Sequence, residues 1–191
     1  MLHHMFDPEL VAPDRIRPLA RKEYDRMVEV GILEEDEKIE LLRGQLVTMS
    51  PVGSQHCAIV EWLNERLIRQ LDPRYGVRPQ MPFAADDWSE PEPDITVRRK
   101  DPTLRDHPRE LLLLIEVSDS SLRKDRGLKL RIYAASGVPE YWIFDLQHDC
   151  VEVYTEPNGE SYARVEVRRG DDVLRPALLP GVAIPLAEMP R

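Results

Sequence analysis

Three carboxylates in this chain stand where a carboxylate is costly. Asp94 opens the stretch Asp-Ile-Thr-Val, Glu116 sits near the end of the apolar run Leu-Leu-Leu-Leu-Ile-Glu-Val, and Glu40 lies inside Lys-Ile-Glu-Leu-Leu. A charged group at the end of a buried strand needs a partner to offset its lost hydration. A hard divalent cation is one such partner. Magnesium accepts one or two carboxylates and keeps several waters, so Asp94 and Glu116 from neighbouring strands, with Glu40 from another element, would make a site for Mg2+ or Mn2+. Each acid could equally meet its own Arg or Lys, or reach solvent, and convergence is not visible in a linear sequence.

A second set follows Glu116. Asp125, Lys129 and Tyr133 are spaced i, i+4, i+8 and so share one face of a helix. Read plainly, Asp125 and Lys129 form a solvated ion pair worth a few tenths of a kcal/mol. Read chemically, Lys129 orients water or stabilises charge developing on a phosphate, with the Tyr133 hydroxyl facing the same polar site. His56, near the start of its own helix, is a candidate base or phosphate contact, although a histidine there more often caps or packs. The nine glycines are scattered singly, so there is no glycine-rich phosphate loop, and no Gly-x-Ser-x-Gly elbow supports a serine nucleophile.

The elements that must carry these groups follow from periodicity. Pro18 to Val30 reads as a helix stopped by Gly31. Ile39–Leu42 and Gln45–Met49 read as strands joined by Arg43-Gly44. Ser54 is placed as the N-cap of a helix reaching about Leu71, with Ile59, Trp62 or Leu63, Leu67 and Leu71 at helical spacing. Val77 to Phe83 is extended, and Asp94–Arg98 is a short strand behind Pro91-Glu92-Pro93. Leu111–Val117 is a strand covered on both faces. Leu122–Ala135 is a helix ended by Gly137. Tyr141–Asp145, Val151–Thr155 and Tyr162–Val167 are further strands, the last two separated by the turn Pro157-Asn158-Gly159. In the first of these, Tyr141 and Ile143 point to one face, and Trp142 and Phe144 to the other. From Leu174 onward a proline-spaced tail packs as a strap. The order predicts an α/β (α+β) sandwich around a mixed central sheet.

Composition narrows the function. The 191 residues carry 42% hydrophobic and 32% charged side chains, enough to bury a core. The net charge of −9 argues against a sequence-independent nucleic-acid coat, yet residues 98–131 hold ten Lys or Arg against six Asp or Glu. Without a long apolar run, no membrane partner is expected. The first residues lack a basic start followed by an apolar stretch, so the expectation is a cytoplasmic protein. Cys57 and Cys150 are too few for a disulfide framework and are expected to be reduced and packed.

Several segments in order carry a resemblance: Ile39-Glu40-Leu41-Leu42-Arg43-Gly44, the stretch from Ser50-Pro51 to His56, Pro93-Asp94-Ile95, Leu114-Ile115-Glu116-Val117-Ser118, then Asp125, Lys129 and Tyr133, and finally Gly137-Val138-Pro139-Glu140-Tyr141-Trp142-Ile143-Phe144-Asp145. Together they resemble the Uma family of restriction-endonuclease-like proteins, similar to the PD-(D/E)XK nuclease superfamily. The resemblance implies a restriction-endonuclease-like mixed sheet flanked by helices in one domain from residue 18 to 191, behind an N-terminal arm over 1–17. It implies a DNA endonuclease using Mg2+ or Mn2+, often as a homodimer. Asp94, Glu116 and Glu40 would match the acids of such a site, with His56, Ser118, Asp125 and Tyr133 in supporting positions. One departure stands out: the superfamily places a lysine two residues after the second acid, and this chain has Ser118 there. Lys129, or less directly Lys124, would then supply the amine from the following helix. The alternative is an interaction module that keeps the fold without cleaving.

Overall fold

The computed structural model describes residues 17–34 and 37–191. The arm expected over 1–17 lies outside the described residues, apart from Arg17. Helix α1 (Arg21–Glu29) precedes a hairpin of β1 (Ile39–Leu42) and β2 (Gln45–Thr48). Helix α2 (Ser54–Gln70) leads into β3 (Tyr75–Pro79), β4 (Ile95–Arg99) and β5 (Leu113–Ser118). A third helix follows in three pieces, α3 (Leu122–Lys124), a π turn (Asp125–Lys129) and α4 (Leu130–Ala135). The chain continues through β6 (Glu140–Asp145), β7 (Cys150–Asn158) and β8 (Ser161–Arg168), then a small antiparallel pair, β9 (Val173–Leu174) and β10 (Ile184–Pro185).

Strands β3 to β8 form one six-stranded sheet in sequence order. All neighbours are antiparallel except β5 and β6, which are parallel and joined through the third helix. The expected alternation in β6 divides the core in two. Trp142 and Phe144 pack with Ile115, Val117 and the α2 residues Ile59, Leu63 and Leu67. Tyr141 and Ile143 pack with Leu114, Ile132 and Tyr133 on the opposite face. Strands β5 and β6 are buried throughout, as apolar runs covered on both faces should be. The tail supplies Leu174, Leu179, Val182 and Ile184 to the α2 side.

Local expectations fail where tertiary contacts decide. The N-cap of α2 is Gly53, and no side chain caps it, because Ser54 already has helical conformation. The strand expected over Val77–Phe83 ends at Pro79, and Phe83 sits in a loop filling the core beneath α4. Strand β7 runs on to Asn158, past the proline expected in the turn. Cys150 is buried as expected, whereas Cys57 is exposed.

The hairpin is held tightly, which matters because it carries Glu40. Arg43 and Gly44 both have positive φ, 50° and 76°, the combination a two-residue hairpin turn requires. Gly44 donates to the Trp88 carbonyl at 2.7 Å and accepts from Leu19 N–H at 2.9 Å. A Cβ at Gly44 would overlap Pro18 Cβ and press to 3.0 Å from Leu19 N. Leu41 and Glu90 exchange backbone hydrogen bonds of 3.3 and 2.7 Å, fastening β1 to the loop that leads into β4.

Two outcomes follow. Gly44→Ala should lower unfolding stability by about 1–3 kcal/mol. An unchanged urea midpoint would show that the close approach is not required. Burial, aided by Asp25, pushes the Glu90 carboxyl up to about 7, with Arg21 opposing. A folded pKa above the unfolded one means that Glu90's contribution is fully present below about pH 4.5 and is lost as pH rises through 7. Glu90→Gln should therefore gain in relative stability between those two pH values. A pH-independent difference in melting temperature would contradict the assignment.

Candidate active site

The β4–β5 register pairs Ile95 with Ile115, and one step further sets Asp94 across from Glu116 at the mouth of the sheet. The two are tied crosswise. Val117 N–H donates to Asp94 Oδ2 at 2.8 Å, and Asp94 N–H donates to Glu116 Oε2 at 3.3 Å. His56, in the first turn of α2, brings Nε2 to 3.0 Å from Asp94 Oδ1. Its Nδ1 is buried with no partner among the described residues.

The third helix supplies the other half. Lys129 Nζ donates to Glu116 Oε1 at 3.0 Å and lies 3.0 Å from Glu40 Oε2. Tyr133 donates to the same Glu116 Oε1 at 2.6 Å. Lys124 Nζ donates to Glu40 Oε1 at 2.6 Å. Lys124 and Lys129 thus grip the two oxygens of one carboxylate although they are five residues apart. In an ideal α-helix five residues turn the side-chain direction through roughly 500°, leaving the two about 140° apart. The π turn between them, with Leu130 N–H bonding back five residues to the Asp125 carbonyl, closes that angle. Such turns recur at functional sites.

The plain reading of Asp125 and Lys129 is a solvated pair, the other a functional Lys129. Both residues are buried instead, and Asp125 is held by Ser118 and Ser121, whose hydroxyls donate to its Oδ2 at 2.7 and 2.6 Å. The helix lies against the sheet on this face, so its i, i+4, i+8 row points into the protein. Ser118, the position at which the resemblance implies a lysine, serves that helix.

Burial and neighbours set the charges. Burial pushes Glu116 above the usual carboxylate range, with Lys129 opposing and Asp125 and Asp94 adding to the rise. Burial opposes the Lys129 charge, but Glu116 and Glu40 outweigh it and hold the ammonium above its usual range. Burial would also raise Glu40, and Lys129 and Lys124 bring it below its usual value instead. Burial and Glu116 keep Tyr133 protonated.

A cleft of about 80 Å3 opens above these groups, lined by His56, Glu92, Asp94, Glu116, Lys124 and Lys129 among others. Five carboxylates (Glu92, Asp94, Glu116, Asp119, Asp125) border it against two ammonium groups. Glu40, fully buried, stands behind the cleft rather than in its wall, and both of its oxygens face lysines. It therefore does not join Asp94 and Glu116 in the expected three-acid set. Among the described residues no three His, Cys, Asp or Glu side chains are placed to close on one metal ion. Two acids and water remain, a donor set that magnesium accepts. At two acceptor sites per oxygen, one remains on Glu116 Oε2 and one on each Asp94 oxygen. The negative surplus and the unpartnered His56 nitrogen fit a hydrated cation there.

Glu92 and Ser121 were not foreseen. The alternation in Pro-Glu-Pro-Asp, which puts Glu92 two residues before Asp94, was a usable signal. The hydroxyl of Ser121 gave none.

The comparisons with known proteins bear on the fold and the family. A crystal structure titled as a putative nuclease belonging to DUF820 from Anabaena variabilis ATCC 29413 superposes with a TM-score of 0.72, at 17% identity, over 90% of this chain and 97% of that one. That likeness shows the fold, a mixed sheet flanked by helices. No curated protein matches the sequence. Among the described residues, no helix is long and apolar enough to cross a membrane. The Uma2 family model, described as "Putative restriction endonuclease", matches residues 21–187, and the chain belongs to that family.

Proposed function

We propose that this protein hydrolyses phosphodiester bonds in DNA as a Mg2+- or Mn2+-dependent endonuclease. The observation that carries the proposal is the meeting of Asp94, Glu116 and Lys129 in one cleft at the end of β4 and β5. Membership of the family supports the nuclease chemistry, and the acid and lysine geometry supports this location for it.

Asp94 and Glu116 would hold the cation through their free acceptor positions, in a shell completed by water. When bound, the cation supplies a water of lowered pKa and shields the scissile phosphate. The protein's own groups do the rest. Lys129 is not the general base, because Glu116 and Glu40 hold its proton firmly. It acts as a fixed ammonium that orients the attacking water and lies beside the phosphoryl oxygens on which negative charge develops. Glu40 keeps Lys129 charged and aimed, which is a positioning role. His56 sets Asp94, and its free nitrogen accepts or donates to a water in the cleft. Tyr133 fixes the Glu116 carboxylate that Lys129 also holds. The amine that the superfamily carries two residues after the second acid thus arrives from the helix.

A second reading, the non-cleaving interaction module, draws on one observation. Glu40, Lys124, Lys129 and Glu116 satisfy one another without any added group. Calorimetric titration with Mn2+ separates the two. The nuclease reading expects binding that is lost in Asp94→Asn. No binding with or without a short DNA duplex would establish the module instead.

Plasmid cleavage with Mn2+ is the direct test. Lys129→Met should lower the rate by about 100-fold or more, and a variant that retains wild-type rate would remove Lys129 from the mechanism. Stability gives an independent readout. Lys129→Met leaves the buried Glu116 without its ammonium and Glu40 with Lys124 alone, and should cost about 3–5 kcal/mol, of which adding Glu116→Gln recovers a large part. Additive effects in that double-mutant cycle would mean that the pair is not coupled.

A further inference from the structure

Beside the catalytic cleft lies a second, wider one of about 570 Å3, and the two share Ser50, Ser120, Ser121 and Lys124. Its lining contains three cationic side chains, Arg123, Lys124 and Arg131, several hydroxyls, and no carboxylate. In a chain of net charge −9 that is an unusual wall. The third helix carries three arginines, and they divide cleanly. Arg126 is neutralised by Asp145 and Glu152, each at 2.6 Å. Arg123 and Arg131 are exposed, and neither has a carboxylate within 4.0 Å among the described residues. They remain available as cations on the side of the helix that faces the shared rim.

Gly127 lies between them and lines the same groove. Its φ is not in the left-handed region, and a Cβ there would meet nothing within 4 Å. Glycine inside a helix costs about 0.5–1 kcal/mol relative to alanine, and nothing packed against it requires the exchange. Its effect is a bare stretch of backbone on the groove floor, open to a close-lying ligand.

Phosphates are the anions that such a wall fits. Arginine forks match phosphate oxygens in pairs, hydroxyls and backbone take single contacts, and nothing in the lining would repel them. We propose that this groove binds the nucleic-acid backbone on one side of the scissile phosphate, with Arg123 and Arg131 on successive flanking phosphates and Lys124 at the junction with the catalytic cleft. The proposal rests on the nuclease reading of that cleft and adds to it the path of the substrate. It also accounts for how an acidic protein holds a polyanion: the groove beside the cleft is lined by cations and hydroxyls.

The test is affinity for a short DNA duplex in EDTA, followed by fluorescence anisotropy across a range of salt concentrations. Each lost phosphate contact removes roughly 0.9 from the slope of log K against log salt. Arg123→Ala/Arg131→Ala should therefore flatten the slope by about two units and weaken binding about tenfold or more at low salt. Both residues are exposed, so the melting temperature should hold. Arg175→Ala, in the tail on the opposite face of the sheet, is the control and should leave the slope unchanged. A wild-type slope in the double variant overturns the groove, and if the protein still cleaves plasmid the nuclease reading survives. A flattened slope in a protein that never cleaves keeps the groove and removes the nuclease reading.

Discussion

One buried ammonium organises this site. Lys129 is almost wholly removed from water, with 3% of its surface exposed, and an isolated charge in that setting would be prohibitively unfavourable. It is tolerated because Glu116 and Glu40 approach it from two different sheets. The constraint works in both directions. The hairpin must hold Glu40 in place, the central sheet must present Glu116 at its rim, and the helix must deliver the lysine between them. Removing the lysine strips Glu116 of its ammonium, and removing either acid leaves the buried lysine with a single carboxylate, so three separately built elements are tied into one arrangement.

Around that lock the acids are unequal. Glu40 is anionic because two lysines hold it so, whereas Glu116 is pressed toward its neutral form by burial and by neighbouring acids. Asp94 is fixed by a backbone N–H on one oxygen and His56 on the other. The asymmetry follows from position. Glu40 lies where the helix can reach it twice, and Asp94 and Glu116 lie at the open end, where acceptor positions remain. An arrangement of this kind separates carboxylates that hold the protein's own cations from carboxylates still able to take one from solution.

Much of the fold was legible because its signals are local. Continuous apolar runs marked β5 and β6, the alternation in Tyr141–Phe144 foretold a core on each face, and the Ile59, Leu63 and Leu67 spacing gave α2. The acids themselves were legible as anomalies, since a glutamate near the end of Leu-Leu-Leu-Leu-Ile asks for a partner. What was hidden depended on distance in space. That Glu40 would meet lysines rather than join the other acids required the packing of the hairpin against the helix. That Asp125 would turn to serines rather than to Lys129 required the helix to lie with that row inward. The split between Arg126 and its neighbours Arg123 and Arg131 depended on where Asp145 and Glu152 emerge from the sheet.

The π turn gives the helix a property that a regular one lacks. A rigid α-helix has a single rotational phase, so seating its inner half against a core dictates where its outer half points. Here the widened turn works as a coupling between two shafts. The Ile132–Tyr133 half is set by the aromatic core, and the Arg123–Lys124 half keeps its own setting toward the rim. Shortening the chain by one residue at the coupling would restore a single phase and swing the outer half away while leaving the core seated. The spacing between the acidic cleft and the neighbouring groove is therefore encoded in a residue count rather than in any one side chain.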